Sequence, residues 1–261
     1  MRIDHHNYET AFRLCYFVIP ENAKDIIMDW LKVQIPAEAA GRLTPREQDV
    51  WRGLLLRRMI AAHNMRDDAS SADRALELFF KVRDEKRYLN IHARNSFPVE
   101  PLLRTSLWPA TIVLLKALGT GVYNKTSSAL YDRFLQHRIG LQNRSFGSVL
   151  EGIEIPRLWL KHPTRPSARP AVDFVKKAFD GSDTDHEQSG LPAAGTMAHA
   201  SLRDTFYRSS QIARATGLKE DAAWIEEKAV ALFGTNNLPA DFDKFKACRI
   251  AHDLLRKLKT G

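Results

Sequence analysis

Arg58 and His63 stand five positions apart in a stretch whose apolar spacing is helical. An arginine can stabilise phosphate charge while a neighbouring imidazole moves a proton. Such a pair could support attack of a 2′-hydroxyl on its own phosphodiester without a metal. The same spacing recurs at Arg87/His92 and Arg157/His162, but only the first pair lies in a well-patterned helix. A larger set of residues suits binding. Arg133, Arg138, Arg144, Arg157, Lys161, Arg165 and Arg169 can neutralise phosphates, and Phe146 and Trp159 offer rings for stacking on unpaired bases. Contacts of this kind hold a nucleic-acid backbone without reading its sequence, so specificity must come from a guide strand or a partner protein.

The charge distribution singles out this second set. The 261-residue chain carries 39 Lys and Arg against 31 Asp and Glu, a formal +8. Residues 1–100 hold 16 basic and 15 acidic side chains, and residues 178–261 hold 11 and 12. The segment 101–177 holds 12 basic side chains against four acidic ones, so it carries the whole excess. Aromatic residues are interleaved with it, among them Trp108, Tyr123, Tyr131, Phe134, Phe146, Trp159 and Phe174. A local excess of this size points to a polyanionic partner. Nucleic acid fits better than an anionic membrane, because no basic amphipathic helix with a clean apolar face occurs there.

The elements that must position these residues read mostly as helices. Residues 8–19 fit helical spacing and strand alternation equally. Pro20-Glu21 opens a helix with Ile26, Ile27, Trp30 and Leu31 on one face before Pro36. Thr44-Pro45-Arg46-Glu47 is a capping box with proline at the first helical position, and the helix runs towards His63. Ser70 or Ser71 caps the next, which buries Ala75, Leu76, Leu78, Phe79 and Val82. Residues 87–101 alternate and end in prolines, which predicts a short strand or extended loop. Residues 108–118 form a helix begun by Pro109 and ended at Gly119-Thr120-Gly121, and 125–138 form another. A short strand is expected over 149–155. Prolines at 156, 163, 166 and 170 alternate with Arg157, Lys161, Arg165 and Arg169, which predicts an exposed, extended basic loop. Residues 180–195 read as a flexible linker, followed by helices over 197–216, 220–233 and 241–258.

Three stretches resemble known families. Arg58 and His63 have the R-x4-H spacing of HEPN-type ribonucleases, a resemblance that implies metal-independent RNA cleavage across a dimer. Residues 43–54, opening on Leu43-Thr44-Pro45-Arg46-Glu47, resemble the start of the DNA-binding region of LuxR-type regulators. Residues 212–225 resemble a helix-turn-helix around Gly217, whose second helix would enter the major groove. That helix carries Glu220, Asp221, Glu226 and Glu227 against Lys219 and Lys228, so a helical hairpin with a glycine cap is the favoured reading.

Other chemistry finds no support in the sequence. Two cysteines, Cys15 and Cys248, exclude a disulfide framework and a CxxC metal site and read as packing residues. Gly119-Thr120-Gly121 with Lys125-Thr126 lacks the spacing of a phosphate-binding loop. Asp183 and Asp185 lack the further ligands of a calcium loop. No cofactor and no metal is expected. The polar opening, residues 1–6, predicts no secretory signal, and no apolar run is long enough to span a bilayer.

The sequence therefore predicts a mainly α, multi-helix globular fold with minor extended or β segments and a C-terminal helical bundle segment. The expected domains are a helical domain 1–178 with its basic region 101–177, an acidic linker 179–196 and a three-helix segment 197–261. The expected function is non-catalytic nucleic-acid binding, to RNA or DNA, as a cytoplasmic subunit of a larger nucleoprotein assembly with other protein subunits. The alternatives are a HEPN-like ribonuclease using Arg58 and His63, and a helical immunity or adaptor protein that meets an acidic partner.

Overall fold

The computed structural model describes residues 24–32, 45–66, 70–92, 105–142, 152–179 and 196–234. All regular structure among them is helical, so the chain is mainly α, with no strand among the described residues. The helices are α1 (Lys24–Lys32), α2 (Pro45–Arg66), α3 (Asp73–His92), α4 (Trp108–Thr120), α5 (Ser128–Gln142), α6 (Glu154–Leu160), α7 (Arg169–Phe179), α8 (Met197–Ala215) and α9 (Lys219–Phe233). Two compact units follow the chain, one ending at His137 and one starting at Arg138, with the division inside α5.

In the first unit α2 begins at Pro45, where the capping pattern predicts a start. Its buried stripe runs Leu56, Met59, Ile60 and His63, the spacing of one helical face. A Cβ on Gly53 would stand 2.8 Å from the Ser106 carbonyl oxygen, so the glycine lets the chain entering α4 lie against α2. Buried Arg52 donates from Nε to the Leu31 carbonyl at 3.2 Å, which satisfies an orphaned acceptor at the end of α1.

The starts of α3 and α5 clip to each other through residues far apart in sequence. Thr126 Oγ1 accepts from Ala72 N at 3.0 Å, Asp73 Oδ1 accepts from Ser127 N at 2.7 Å, and Lys125 N donates to Ser70 O at 2.9 Å. The first two bonds tie the cap region of one helix to a side chain at the start of the other, and the third joins the two lead-in segments. Phe79 of α3 then meets Phe134 of α5 edge-on at 5.7 Å inside the core. Gly121, at φ 76°, closes α4 by donating to Leu118 O.

The second unit is built from α6 to α9 around Phe179, Leu202, Phe206, Ile225 and Phe233. Residues 153–179, expected with an N-terminal domain 1–178, share this core with residues 202–233. The α8–α9 pair is a hairpin: Gly217 takes φ 85°, and Leu218 N reaches back to Ala213 O at 2.8 Å. An Arg214–Glu226 fork locks the hairpin, and Lys176 of α7 binds Asp221 at 2.7 Å. The acidic second helix thus spends two of its four carboxylates on internal pairing.

Three expectations of extended structure are corrected. Residues 87–92 continue α3, because a capped helix propagates through residues whose apolar alternation is short. Gly152 to Ile155 are helical or turn, leading into α6, where a strand was expected. The proline-rich stretch is helical at both ends and a loop between them. Pro156 and Pro170 lie in the first turns of α6 and α7, where a missing N–H costs no intrahelical bond. Only residues 161–168 form the connecting loop. Residues 8–19, the linker 180–195, the helix expected over 241–258, and both cysteines lie outside the described residues.

Candidate nucleic-acid interface

The second unit presents the stretch from α6 through the 161–168 loop into α7. This loop is pinned, despite its proline content. His162, 3% exposed, accepts at Nδ1 from Thr164 N (3.3 Å) and Arg165 N (3.1 Å). Ser167 N donates to Trp159 O at 3.0 Å. The His162 ring stacks on half-buried Trp159, with centroids 6.0 Å apart and planes 21° apart. The Arg165 guanidinium stands 5.9 Å from the Trp159 ring centroid. Arg165 and Arg169 are exposed on either side of the loop's end. Arg165 thus offers a cation beside an aromatic surface, an arrangement suited to a phosphate next to an unpaired base, and Arg169 is a second exposed cation four residues on.

The other predicted cations have different surroundings. Arg138 is buried, at 2% exposure, and its Nη2 donates to Glu154 Oε2 at 2.5 Å. Arg157 is half-buried; burial pushes its pKa down, against the pull of Asp204 and Glu154, and Arg208 pushes the same way as burial. Lys161, one helical turn further on, has a side chain only 3% exposed, with Nζ 3.4 Å from Asp204 Oδ2. Arg133 belongs to the first unit, where it is exposed but engaged. Its guanidinium lies 4.1 Å from the Phe80 ring centroid and pairs with Asp84. Burial alone would raise the Asp84 carboxyl, yet the hydrogen bonds and charges of Arg83 and Arg133 hold it below the usual carboxylate range. Arg144 and Phe146 lie outside the described residues.

Asp204 and Arg208, which the sequence reading did not select, complete this group. They sit one turn apart on α8, and Arg208 Nε donates to both Asp204 oxygens at 3.0 and 3.3 Å. Their i,i+4 spacing is legible as a helix pair. Nothing local says that Lys161 faces them.

Burial pushes the Lys161 ammonium down to about 8, with Arg208 and Arg157 adding to the effect and Asp204 opposing it. Below pH 8 the folded and unfolded chains both hold this proton. Between pH 8 and the ordinary lysine value the unfolded chain holds more protons, so stability contributed by this group rises with pH across that window. Lys161→Met removes the titration. The variant is expected to gain about 1–2 kcal/mol on the wild type at pH 7, with allowance for solvent at the cluster, and to lose that advantage by pH 10.5. Urea unfolding at the two pH values measures the difference; a constant offset would contradict it.

Arg58 and His63 belong to the interior of the first unit, with His63 4% exposed and Arg58 half-buried on α2. Among the described residues no group of three or more His, Cys, Asp or Glu is placed to hold a metal ion. No helix among them is long and apolar enough to cross a membrane. No family model, curated protein or solved structure matches the chain.

Proposed function

We propose that this chain is a non-catalytic nucleic-acid-binding protein, acting with other subunits in a nucleoprotein assembly, and that its second unit grips the phosphate backbone. The observation that carries the reading is the concentration of charge, with 12 basic against four acidic side chains over residues 101–177 and near balance elsewhere. Exposed Arg165 and Arg169 make the outer phosphate contacts, and Trp159 lies beneath Arg165 as the aromatic neighbour of a base. Backbone hydrogen bonds to His162 and Trp159 hold the loop in one shape, so little ordering entropy is lost on binding.

Fluorescence anisotropy against single-stranded RNA, single-stranded DNA and duplex DNA at two salt concentrations tests the proposal. Binding is expected to weaken steeply with salt. Reversing Arg165 and Arg169 together to Glu is expected to lower affinity at least tenfold and to flatten the log–log salt slope by about 1.4–1.8, one phosphate contact for each arginine. Absence of binding to all three probes at low salt would overturn the proposal and favour an acidic protein partner. Unchanged affinity in the double variant would remove the site from this loop.

A further inference from the structure

We infer that Arg83 and Arg133, stacked on Phe80 and bridged by Asp84, form a second contact for a nucleic-acid phosphate, on the first unit; this rests on the proposed function. Phe80 and Arg83 lie about one turn apart on α3, and Arg133 reaches them from α5. The Phe80 ring is buried, and Phe79 meets it edge-on at 5.5 Å. The Arg83 and Arg133 guanidinium carbons stand 4.7 and 4.1 Å from its centroid. Asp84 joins the two. Arg83 donates to Asp84 Oδ1 from Nε at 3.0 Å and from Nη2 at 2.8 Å, and Arg133 Nη2 donates to Oδ2. Direct contacts with one ring and one carboxylate therefore fix both guanidinium groups.

The group is open to water. The Arg133 and Asp84 side chains are 43% and 45% exposed, and that of Arg83 is 22% exposed. A guanidinium carries five N–H donors in a planar fork. Among the described residues, Arg83 spends Nε and Nη2 on hydrogen bonds, and Arg133 spends Nη2. The Nη1 groups of both, and Nε of Arg133, are left to meet an incoming oxyanion. Two cations against one carboxylate also leave a positive charge at this surface.

Joining α3 to α5 does not account for the arrangement. Thr126 and Asp73 already make that joint at the helix starts, and Phe79 and Phe134 make it in the core. An exposed ion pair adds little to stability. A phosphate fits the remaining donors, since its oxygens can take N–H groups from both forks at once, and guanidinium planes also stack on bases. Asp84 then has two effects: it holds the arginines in place, and it occupies donors that a phosphate would use. It stays ionised at neutral pH, because the hydrogen bonds and charges of Arg83 and Arg133 together outweigh the opposing effect of burial.

Anisotropy titrations of the full chain with a single-stranded oligonucleotide, at two salt concentrations, test this contact. Arg83→Gln/Arg133→Gln is expected to lower affinity about tenfold and to flatten the log–log salt slope by about 0.7, the share of one phosphate on a single strand. Asp84→Asn keeps both arginines and removes the competing charge, so it is expected to raise affinity about threefold. Arg165→Glu/Arg169→Glu reports on the loop of the second unit separately.

Weaker binding in the arginine variant without tighter binding in Asp84→Asn would mean that the group only supports the fold, and would overturn the second contact. Unchanged affinity in both, with Arg165→Glu/Arg169→Glu still weakening binding, would overturn it and leave the proposed function standing. No binding by the wild type at low salt would defeat the proposed function, and this contact with it.

Discussion

Replacing Phe206 with alanine is expected to destabilise the second unit by about 3–5 kcal/mol. The ring is fully buried on α8 and meets two others edge-on, Phe179 of α7 at 5.7 Å and Phe233 of α9 at 5.4 Å. It is the shared contact of three helices. Truncation removes its transfer free energy and leaves a cavity that no neighbouring backbone can fill without moving a helix. The edge-on pairs contribute further, because the positive ring edge meets the negative face of its neighbour. Trp159 and Trp224 both lie in this unit, so urea unfolding followed by tryptophan fluorescence reads the loss as a lower midpoint at unchanged slope. A loss below about 1 kcal/mol would show that the three rings do not form a packed core.

The second large effect is expected at Glu154. Its carboxylate holds the Nη2 of Arg138, a guanidinium that is 2% exposed. Glu154→Ala removes a counter-charge from a buried cation, at a cost of about 3 kcal/mol. Arg138→Met fills the same space with an apolar chain and is expected to be much milder. The double variant Glu154→Ala/Arg138→Met should then be more stable than Glu154→Ala alone. A double-mutant cycle by chemical denaturation measures the coupling, which is expected to fall between about 1 and 3 kcal/mol. Added salt should change it little, since a buried pair is poorly screened. Additive single-variant effects would mean that the two residues do not act as a pair.

Helix positions were largely open to sequence reasoning because their causes are local. The start expected from Thr44-Pro45-Arg46-Glu47 draws on residues within one turn of each other, and α2 begins at Pro45. Gly121 ends α4 because a left-handed residue is cheap only for glycine. Where the reading went astray, a local signal was taken as decisive when position within the helix mattered. Prolines 156 and 170 exclude a helix interior, yet both occupy first turns, where they are tolerated. The alternation over 87–92 suits a strand, but a helix already under way needs only one further hydrogen bond per residue to continue.

The candidate site shows the division most sharply. Composition alone concentrates the positive excess in 101–177, since charge can be counted without coordinates. Which of those charges face water cannot be counted. Lys161 and Arg165 are four residues apart in one proline-rich stretch and look equivalent in sequence. One is buried against Asp204, and the other is exposed beside Trp159. The difference lies in α8, a helix remote in the chain that closes over α6 and brings Asp204 and Arg208 to Lys161. Helical periodicity, caps and net charge are properties of neighbouring residues, and the sequence determined them by itself. Burial and pairing depend on which distant faces meet, because desolvation and Coulomb energies act through space; those only the tertiary structure decided.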